Sequence, residues 1–379
     1  MISGGTDSTQ TRAVKDGIVL SVDAMGSDKG PTMVVEGLDL FFENNPQARV
    51  LLHGRLAALE PLVKGKYWAP RVDLVHAEGV VTMDDKPAQV MRHGRNTSMW
   101  SAVDAVRTGA ASICVSCGNT GALMAVSMLQ LRKVEGVNRP AISCLWPSAG
   151  PAGFNVLLDA GADIRADQDD LLNYAYMGVA FARAGLNLPR PRVGLLNVGT
   201  EEHKGRAELK LAHEMIAKAA VTGDFEFVGF VEGSEMARDR ADVVVTDGFT
   251  GNVALKTAEG TARFVTGLLK ESLTSSLIAK IGALLAKGGL KRMQTKADPR
   301  RANGGVFLGL NGTVVKSHGG SDATSMAHAL NLAYRLAQGG ITEKLAAQLA
   351  AVALGQDLGA PAGQLGTAET TLPAETDKE

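Results

Sequence analysis

The chain is expected to fold as an α/β protein, a mostly parallel sheet covered on both faces by helices, and three observations carry that expectation. Short β-branched runs alternate with longer helical patterns, the order of βαβ units. Several runs end in loops rich in glycine, hydroxyl and carboxylate residues before the next helix begins, as the carboxyl ends of parallel strands do. The composition, 45% hydrophobic and 21% charged over 379 residues, is that of an ordinary soluble globular protein with ample material for a core.

Residues 1–16 are polar, lack the apolar stretch of a secretory signal and read as a flexible leader. Ile18–Asp23 is the first strand, and Pro31 is placed to start the helix Thr32–Glu43. Val50–His53 and Val72–His76 are strands, followed by a helix over Met99–Thr108. The strand Ser112–Ser116 leads into the helix Gly121–Lys133. Ala141–Leu145 and Phe154–Leu158 are strands, and Gln168–Arg183 is a helix. Val193–Val198, the helix Ala207–Ala220, Phe225–Phe230, Asp242–Thr246 and the helix Asn252–Leu273 continue the alternation. GGVFLGLNGTVVKSHGGSD then reads as two short strands around the Asn311-Gly312 turn, a hairpin signal, before the helix Ser325–Ala337. From about residue 352 the chain is rich in Ala, Gly, Thr and Pro with little to bury, and residues 352–379 read as a disordered tail. No Pro/Ser linker divides the core, so residues 17–351 are taken as one domain.

A formal net charge of −1 argues against general nucleic-acid binding. Three cysteines, at 114, 117 and 144, make no disulfide framework and fit a reducing cytoplasm. No run approaches the length of a transmembrane span. The first strand is not followed by G-x-G-x-x-G and there is no Walker lysine loop, so dinucleotides and nucleoside triphosphates lack their usual support. No His/Cys cluster has zinc spacing, and G-x-S-x-G is absent.

The strand-end device occurs four times. Asp23 is followed by Gly26, Ser27 and Asp28, and Cys117-Gly118 by Asn119, Thr120 and Gly121. Val198 is followed by Gly199, Thr200 and Lys204, and Thr246 by Asp247, Gly248, Thr250, Gly251 and Asn252. In an open parallel sheet these loops are expected to converge. Together they would make a site of backbone donors, hydroxyls, carboxylates and one lysine, suited to phosphate or another oxyanion. Glycines at such turns let backbone N–H groups approach a ligand, and the following helix start favours an anion. Plainer readings stand beside these. Asp23 and Asp247 also suit helix capping, Lys204 a solvated surface, and Asn119 and Asn252 ordinary turns. His318 ends a strand before a helix and is either a fifth contributor or a satisfied structural histidine. Cys117 is a nucleophile or, as is commoner for cysteine, a packing residue.

At these loops the sequence resembles the bacterial phosphate acyltransferases of phospholipid synthesis, the PlsX family. The matching stretches are VDAMGSDKGP, CGNTGALMA, RPAISCLWP, NVGTEEHKG, VVTDGFTGNVALK and GGVFLGLNGTVVKSHGGSDA, in the family's order across residues 19–323. Ser27 stands where the family more often has a second glycine after Met-Gly, which bears on how closely that backbone approaches a ligand. The resemblance implies a three-layer α/β/α sandwich similar to phosphotransacetylases and isopropylmalate dehydrogenases, a homodimer, and no metal or organic cofactor. It implies transfer of a long acyl chain from acyl carrier protein to inorganic phosphate. The acyl phosphate would then serve a membrane acyltransferase that acylates glycerol 3-phosphate. Phosphate is itself the nucleophile in such a reaction and a thiolate leaves readily, so the demand on the protein is to hold a dianion and stabilise an oxyanion. Lys204, Asn252 and His318 are the candidates for catalysis, and the remaining loop residues for substrate binding.

The segment from 273 to 301 carries a second expectation. Leu273, Leu277, Ile281, Leu284 and Leu285 fall near one helical face, with Ile278 at its edge. Seven basic residues, Lys287, Lys291 and Arg292 among them, face one acid, Asp298, between residues 280 and 301. Such a protruding amphipathic helix suits an anionic membrane surface, an acidic carrier protein, or dimer packing. The resemblance favours the membrane, placing the protein in the cytoplasm and peripherally at the membrane's inner face. Two rival functions stand beside this one: a short-chain phosphotransacetylase-like enzyme using acyl-CoA, and a catalytically idle membrane scaffold.

Overall fold

The computed structural model describes residues 17–201, 203–290, 304–318 and 320–353. The leader, the chain beyond 353, and Lys291 and Arg292 lie outside the described residues. In chain order the strands are β1 Val19–Asp23, β2 Arg49–Gly54, β3 Val72–His76, β4 Ile113–Ser116, β5 Ala141–Pro147, β6 Phe154–Leu158, β7 Arg192–Leu196, β8 Glu226–Val231, β9 Val243–Val245, β10 Gly305–Leu308 and β11 Thr313–Lys316. The helices that position the site are α1 Pro31–Asn44, α2 Leu56–Val63, α3 Pro87–His93, α4 Ser98–Arg107, α5 Thr120–Leu131, α6 Gln168–Leu186 and α7 Ala207–Thr222. After them come α8 Gly248–Thr274, α9 Leu277–Leu285, α10 Ala323–Gln338 and α11 Ile341–Ala353. The sequence pattern anticipated all but α2, α3 and α11. Helix α2 carries Pro61 inside it, and α3 is only seven residues long, so neither shows a full apolar period.

All strands join one sheet in the order β3-β2-β1-β4-β11-β10-β5-β6-β9-β7-β8. Side chains alternate across it with period two. Ile113, Val115, Val156, Leu158, Val243 and Val245 enter a continuous core with α1, α6, α7, α10 and α11 on one face. On the other face, Cys114, Phe307 and Val314 meet α3, α4 and α5, while Cys144, Leu157 and Val244 meet the first turns of α8. These two cores are separate, and partly buried Ile142 touches both. The result is the expected three layers, with the second helical layer split above the middle of the sheet.

The sheet is not uniformly directed, which corrects the expectation that four loops converge. β10 is antiparallel to both β11 and β5, and β5 is antiparallel to β6. Three successive reversals leave β3-β2-β1-β4-β11 running one way and β6-β9-β7-β8 the other. The loops after β1, β4 and β11 therefore share one end of the sheet, and the loops after β7 and β9 share the opposite end.

Helix α8 starts at Gly248, four residues before the expected Asn252, and ends at Thr274. Ser275 and Ser276 break the chain there, and the Ser276 hydroxyl accepts the Ala279 N–H at 3.1 Å to start α9. Leu273 thus belongs to a different helix from Leu277, which corrects the single apolar face read from the sequence. Within α9, Leu277, Ile281, Leu284 and Leu285 are all exposed, as is Ile278. No helix among the described residues is long and apolar enough to cross a membrane.

Candidate active site

At the first end of the sheet, Asp23, Ser116 and Lys316 lie in one row across β1, β4 and β11. Asp23 is fully buried; its Oδ2 accepts the Ser116 hydroxyl at 2.7 Å and its Oδ1 the Met25 N–H at 3.2 Å. Ser116 Oγ in turn accepts the Gly118 N–H at 3.0 Å. Burial pushes the Asp23 carboxyl above its ordinary range, against the pull of polar neighbours at Ser98, Ser116, Met25 and Gly26. Ser98 Oγ is enclosed beside it with no hydrogen-bond partner of ordinary geometry among the described residues. Gly26 is required here by space: a Cβ would lie 2.6 Å from Asp23 Oδ2 and 2.7 Å from the Gly118 nitrogen.

Lys316 ends β11, and its ammonium donates to the carbonyls of Cys117 (3.5 Å) and Ser317. Among the described residues no carboxylate reaches it at ion-pair distance. Burial lowers its pKa, while the charges of Cys117, Asp28 and Asp23 pull the other way. Next to it, His318 stands at the surface. Crowding of its ring lowers its pKa first, and the charge of Lys316 adds to this. The Lys256–Glu259 pair of α8, joined at 3.0 Å, also acts electrostatically on His318 and on Cys144. Asn252 lies four residues, about 6 Å along the helix, before Lys256. Helix α8 thus leads from the second end of the sheet toward the first.

Around this row, Ser27 is buried and its hydroxyl accepts the Lys29 N–H at 3.1 Å, while Asp28 is exposed. Asn119 is committed to structure. It caps α5 through Ala122 at 3.0 Å and donates to the carbonyls of Met83 (2.7 Å) and Asp85 (3.2 Å). Thr120 and Gly121 are exposed at the start of α5, where helix N–H groups have no intrahelical acceptor. Beneath the row, a polar network seats α4. Ser21 Oγ donates to the Ala102 carbonyl at 2.7 Å and contacts His53 Nε2 at 2.9 Å, and His53 Nδ1 meets Ser101 Oγ at 2.8 Å. Because the Ser21 proton is already given to Ala102, Nε2 must be the protonated nitrogen and Nδ1 the acceptor. Burial lowers His53 to about 4, although Asp104 opposes it.

The second end is built differently. Asp247 caps α8 through Thr250 N–H (2.8 Å) and Thr250 Oγ1 (3.0 Å), and pairs with Arg206 at 2.5 Å. Gly248 N–H goes to the Asp163 carbonyl at 2.7 Å. A Cβ on Gly251 would lie 1.9 Å from the Asp159 carbonyl oxygen. These glycines serve close packing of α8 on the 159–163 loop, which corrects the reading that they open the backbone to an anion. Asn252 is exposed in the second turn beside Gly161, not at the helix start. Lys204 pairs with Glu201 at 2.7 Å, and that bond raises its pKa. Its stem crosses buried Gly199, where a Cβ would meet Lys204 Cδ at 2.4 Å, and Thr200 is exposed.

Sequence reasoning passed over Lys316, Ser116, Arg206 and the carboxylates Asp159 and Asp163. Asp159 accepts backbone N–H bonds from Ile142, Gly161, Ala162 and Asp163, and Asp163 pairs with Arg139 at 2.8 Å. The signals were present: Phe154–Leu158 ends in Asp159 as Ile18–Val22 ends in Asp23, and Lys316 is a charge closing an apolar strand.

The model of a family described as "Fatty acid synthesis protein" matches residues 18–344. A phosphate acyltransferase from Rhodobacter capsulatus is 62% identical over 90% of this chain and 86% of its own length. The phosphate acyltransferase of Paracoccus denitrificans is 62% identical over 88% of this chain and 91% of its own. Among solved structures, a phosphotransacetylase from Streptococcus pyogenes matches with a TM-score of 0.56 at 16% identity, covering 86% of this chain and 95% of that one. The EutD phosphotransacetylase of Staphylococcus aureus gives 0.55 at 13%, covering 85% and 94%. At those identities the structures establish a shared fold. The family match spans both ends of the sheet and the strands between them, and with relatives this close the chain belongs to the phosphate acyltransferase (PlsX) family of fatty acid synthesis proteins.

Proposed function

We propose that the protein transfers a long-chain acyl group from the thioester of acyl carrier protein to inorganic phosphate, giving an acyl phosphate for the acylation of glycerol 3-phosphate. The row Asp23–Ser116–Lys316 carries this reading, because Lys316 is a half-buried cation bonded to carbonyl oxygens, with no carboxylate at ion-pair distance among the described residues. Such a charge, beside the open start of α5, favours a bound dianion. A phosphate oxygen attacks the thioester carbon, the C–O bond forms, the C–S bond breaks, and the phosphate proton passes to the departing sulfur. His318, held toward its neutral form, is assigned the relay of that proton in this reading. Direct attack is favoured over an acyl-cysteine because burial pushes the Cys117 thiol up to about 11, leaving little thiolate at neutral pH. Lys204 belongs to the acyl side in this reading, since its exposed pair with Glu201 is weak enough to exchange for an incoming oxyanion. The exposed α9 face is assigned to an anionic membrane surface, and the protein is taken to act as a homodimer.

Phosphate-dependent release of carrier-protein thiol from palmitoyl carrier protein, with hydroxylamine trapping of the acyl phosphate, tests the reading. Turnover of acetyl-CoA with none of the palmitoyl donor would establish the short-chain reaction instead. No acyl phosphate from either donor would end the enzymatic reading.

A further inference from the structure

A concave site lies away from this row, on the outer side of α4. It encloses about 570 Å³ between α4, the preceding turn and the end of α5. Trp100, Asp104 and Arg107 line it at positions i, i+4 and i+7, one face of the helix. Leu129, Gln130, Arg95 and Arg132 complete the lining. Arg107 satisfies Asp104 at 2.7 Å, whereas Arg95 and Arg132 have no ion-pair partner among the described residues. Two positive charges of the lining are therefore left over. Gln130 donates to the Trp100 carbonyl at 3.2 Å, and its Oε1 is enclosed without a partner among the described residues. Arg132 is held at φ 59°, a region non-glycine residues seldom adopt, with its carbonyl fixed by the Asn311 N–H at 3.0 Å.

We propose that this groove docks an acidic helix of the carrier protein that delivers the acyl thioester; the inference rests on the donor assigned above. The groove's lining combines the apolar surface of Trp100 and Leu129 with two arginines left without an ion pair among the described residues, and it follows α4 for about two turns, enough to seat one helix. Its helix begins at Ser98, beside Asp23, and reaches Arg107 about 13 Å away, so a partner seated there presents a thioester arm to the row. A membrane would suit it poorly: the groove is concave, while an apolar exposed face is offered by α9.

Arg95 and Arg132 are both exposed, so Arg95→Glu/Arg132→Glu leaves the core untouched, and Arg95→Gln/Arg132→Gln serves as the neutral variant. Binding of isolated acyl carrier protein is measured by calorimetry, and turnover with palmitoyl carrier protein is compared with palmitoyl-pantetheine, the same thioester without the protein. The Glu pair is expected to weaken carrier binding and raise KM for palmitoyl carrier protein at least tenfold, the Gln pair less, with kcat and all pantetheine kinetics unchanged. The salt dependence of binding should flatten in both variants. Parent-like carrier binding, equal losses on both donors, or loss of anionic-vesicle binding with carrier binding intact would each overturn the docking site. Carrier binding lost in the variants, from a parent that turns over neither donor, would uphold the surface and refute the catalytic reading. Phosphate-dependent turnover with an unaltered carrier KM would do the reverse.

Discussion

Acidification should destabilise the protein through His53, by an amount the structure lets one work out. The imidazole is 1% exposed, neutral, and fixed as the Nε2–H tautomer between Ser21 and Ser101. Its folded pKa, about 4, lies below the ordinary 6.5 that it regains on unfolding. The stabilisation of the neutral form is therefore fully present above pH 6.5 and is lost as pH falls through 4. In that window the unfolded chain binds more protons than the folded one. Two and a half pH units at about 1.4 kcal/mol each bound the effect at about 3.5 kcal/mol, of which about 3 kcal/mol is lost by pH 4, where the folded imidazole is half protonated. Asp23 and Asp159 act in the opposite sense, since burial raises both and each gains stability as pH falls. The measurement must therefore be a difference. Urea unfolding of the parent and of His53→Gln at pH 7 and pH 4 isolates the histidine. The parent should lose about 3 kcal/mol more than the variant, and His53 should titrate near 4 by NMR. Parallel pH slopes in the two proteins would refute a buried neutral imidazole.

Lys316→Ala should lower kcat/KM for phosphate on the order of a hundredfold or more with the fold retained, and near-parent turnover would remove Lys316 from the site. Cys117→Ala should keep most activity and cost about 1 kcal/mol of stability; an acyl group trapped on Cys117 by mass spectrometry would reverse the direct-attack mechanism. Gly251→Ala puts a methyl 1.9 Å from the Asp159 carbonyl oxygen, so stability should fall by about 3 kcal/mol, as calorimetry would report. Leu277→Glu/Ile281→Glu should release the protein from anionic vesicles while sparing turnover in solution, whereas a packing role for α9 predicts unchanged vesicle binding and a smaller species on sizing.

Strands and helices were largely readable because burial imposes a period on side chains. Val156, Leu158, Val243 and Val245 all face one core and Leu157 and Val244 the other. Direction was harder, since periodicity carries no sign. One clue was available in spacing: only eight residues separate the expected strands Ala141–Leu145 and Phe154–Leu158, too few for the crossover of about a dozen that parallel neighbours need. Read with the Asn311-Gly312 hairpin, it would have shown that the sheet reverses and that four loops do not meet. Asp247 and Asn119 were legible as polar turn residues, but capping and ligand binding use the same chemistry. Only partners such as Thr250, Arg206 and Met83, distant or unremarkable in sequence, decide what their side chains are doing. Lys316 escaped notice because what distinguishes it, an ammonium bonded to backbone carbonyls in one row with buried Asp23, is a tertiary property.

The place of β10 and β11 in the sheet bears on how the protein comes into being at the ribosome. These strands, residues 305–316, are among the last to be made, yet they sit between β4 and β5, which are made within the first 147 residues. Until they emerge, β4 has an open ladder toward the centre, and so has β5 on the side that β10 will occupy. Both edges are apolar, since all four residues of β4 and most of β5 are buried once the sheet closes. Such edges recruit other nascent chains as readily as they recruit their own missing strands. Closure also joins residues separated by about 200 positions, so its loop entropy slows the step that protects them. Yield in the cell should therefore depend on chaperone capacity more than on the stability of the finished fold, and a chain truncated before residue 305 should aggregate instead of surviving as a smaller domain.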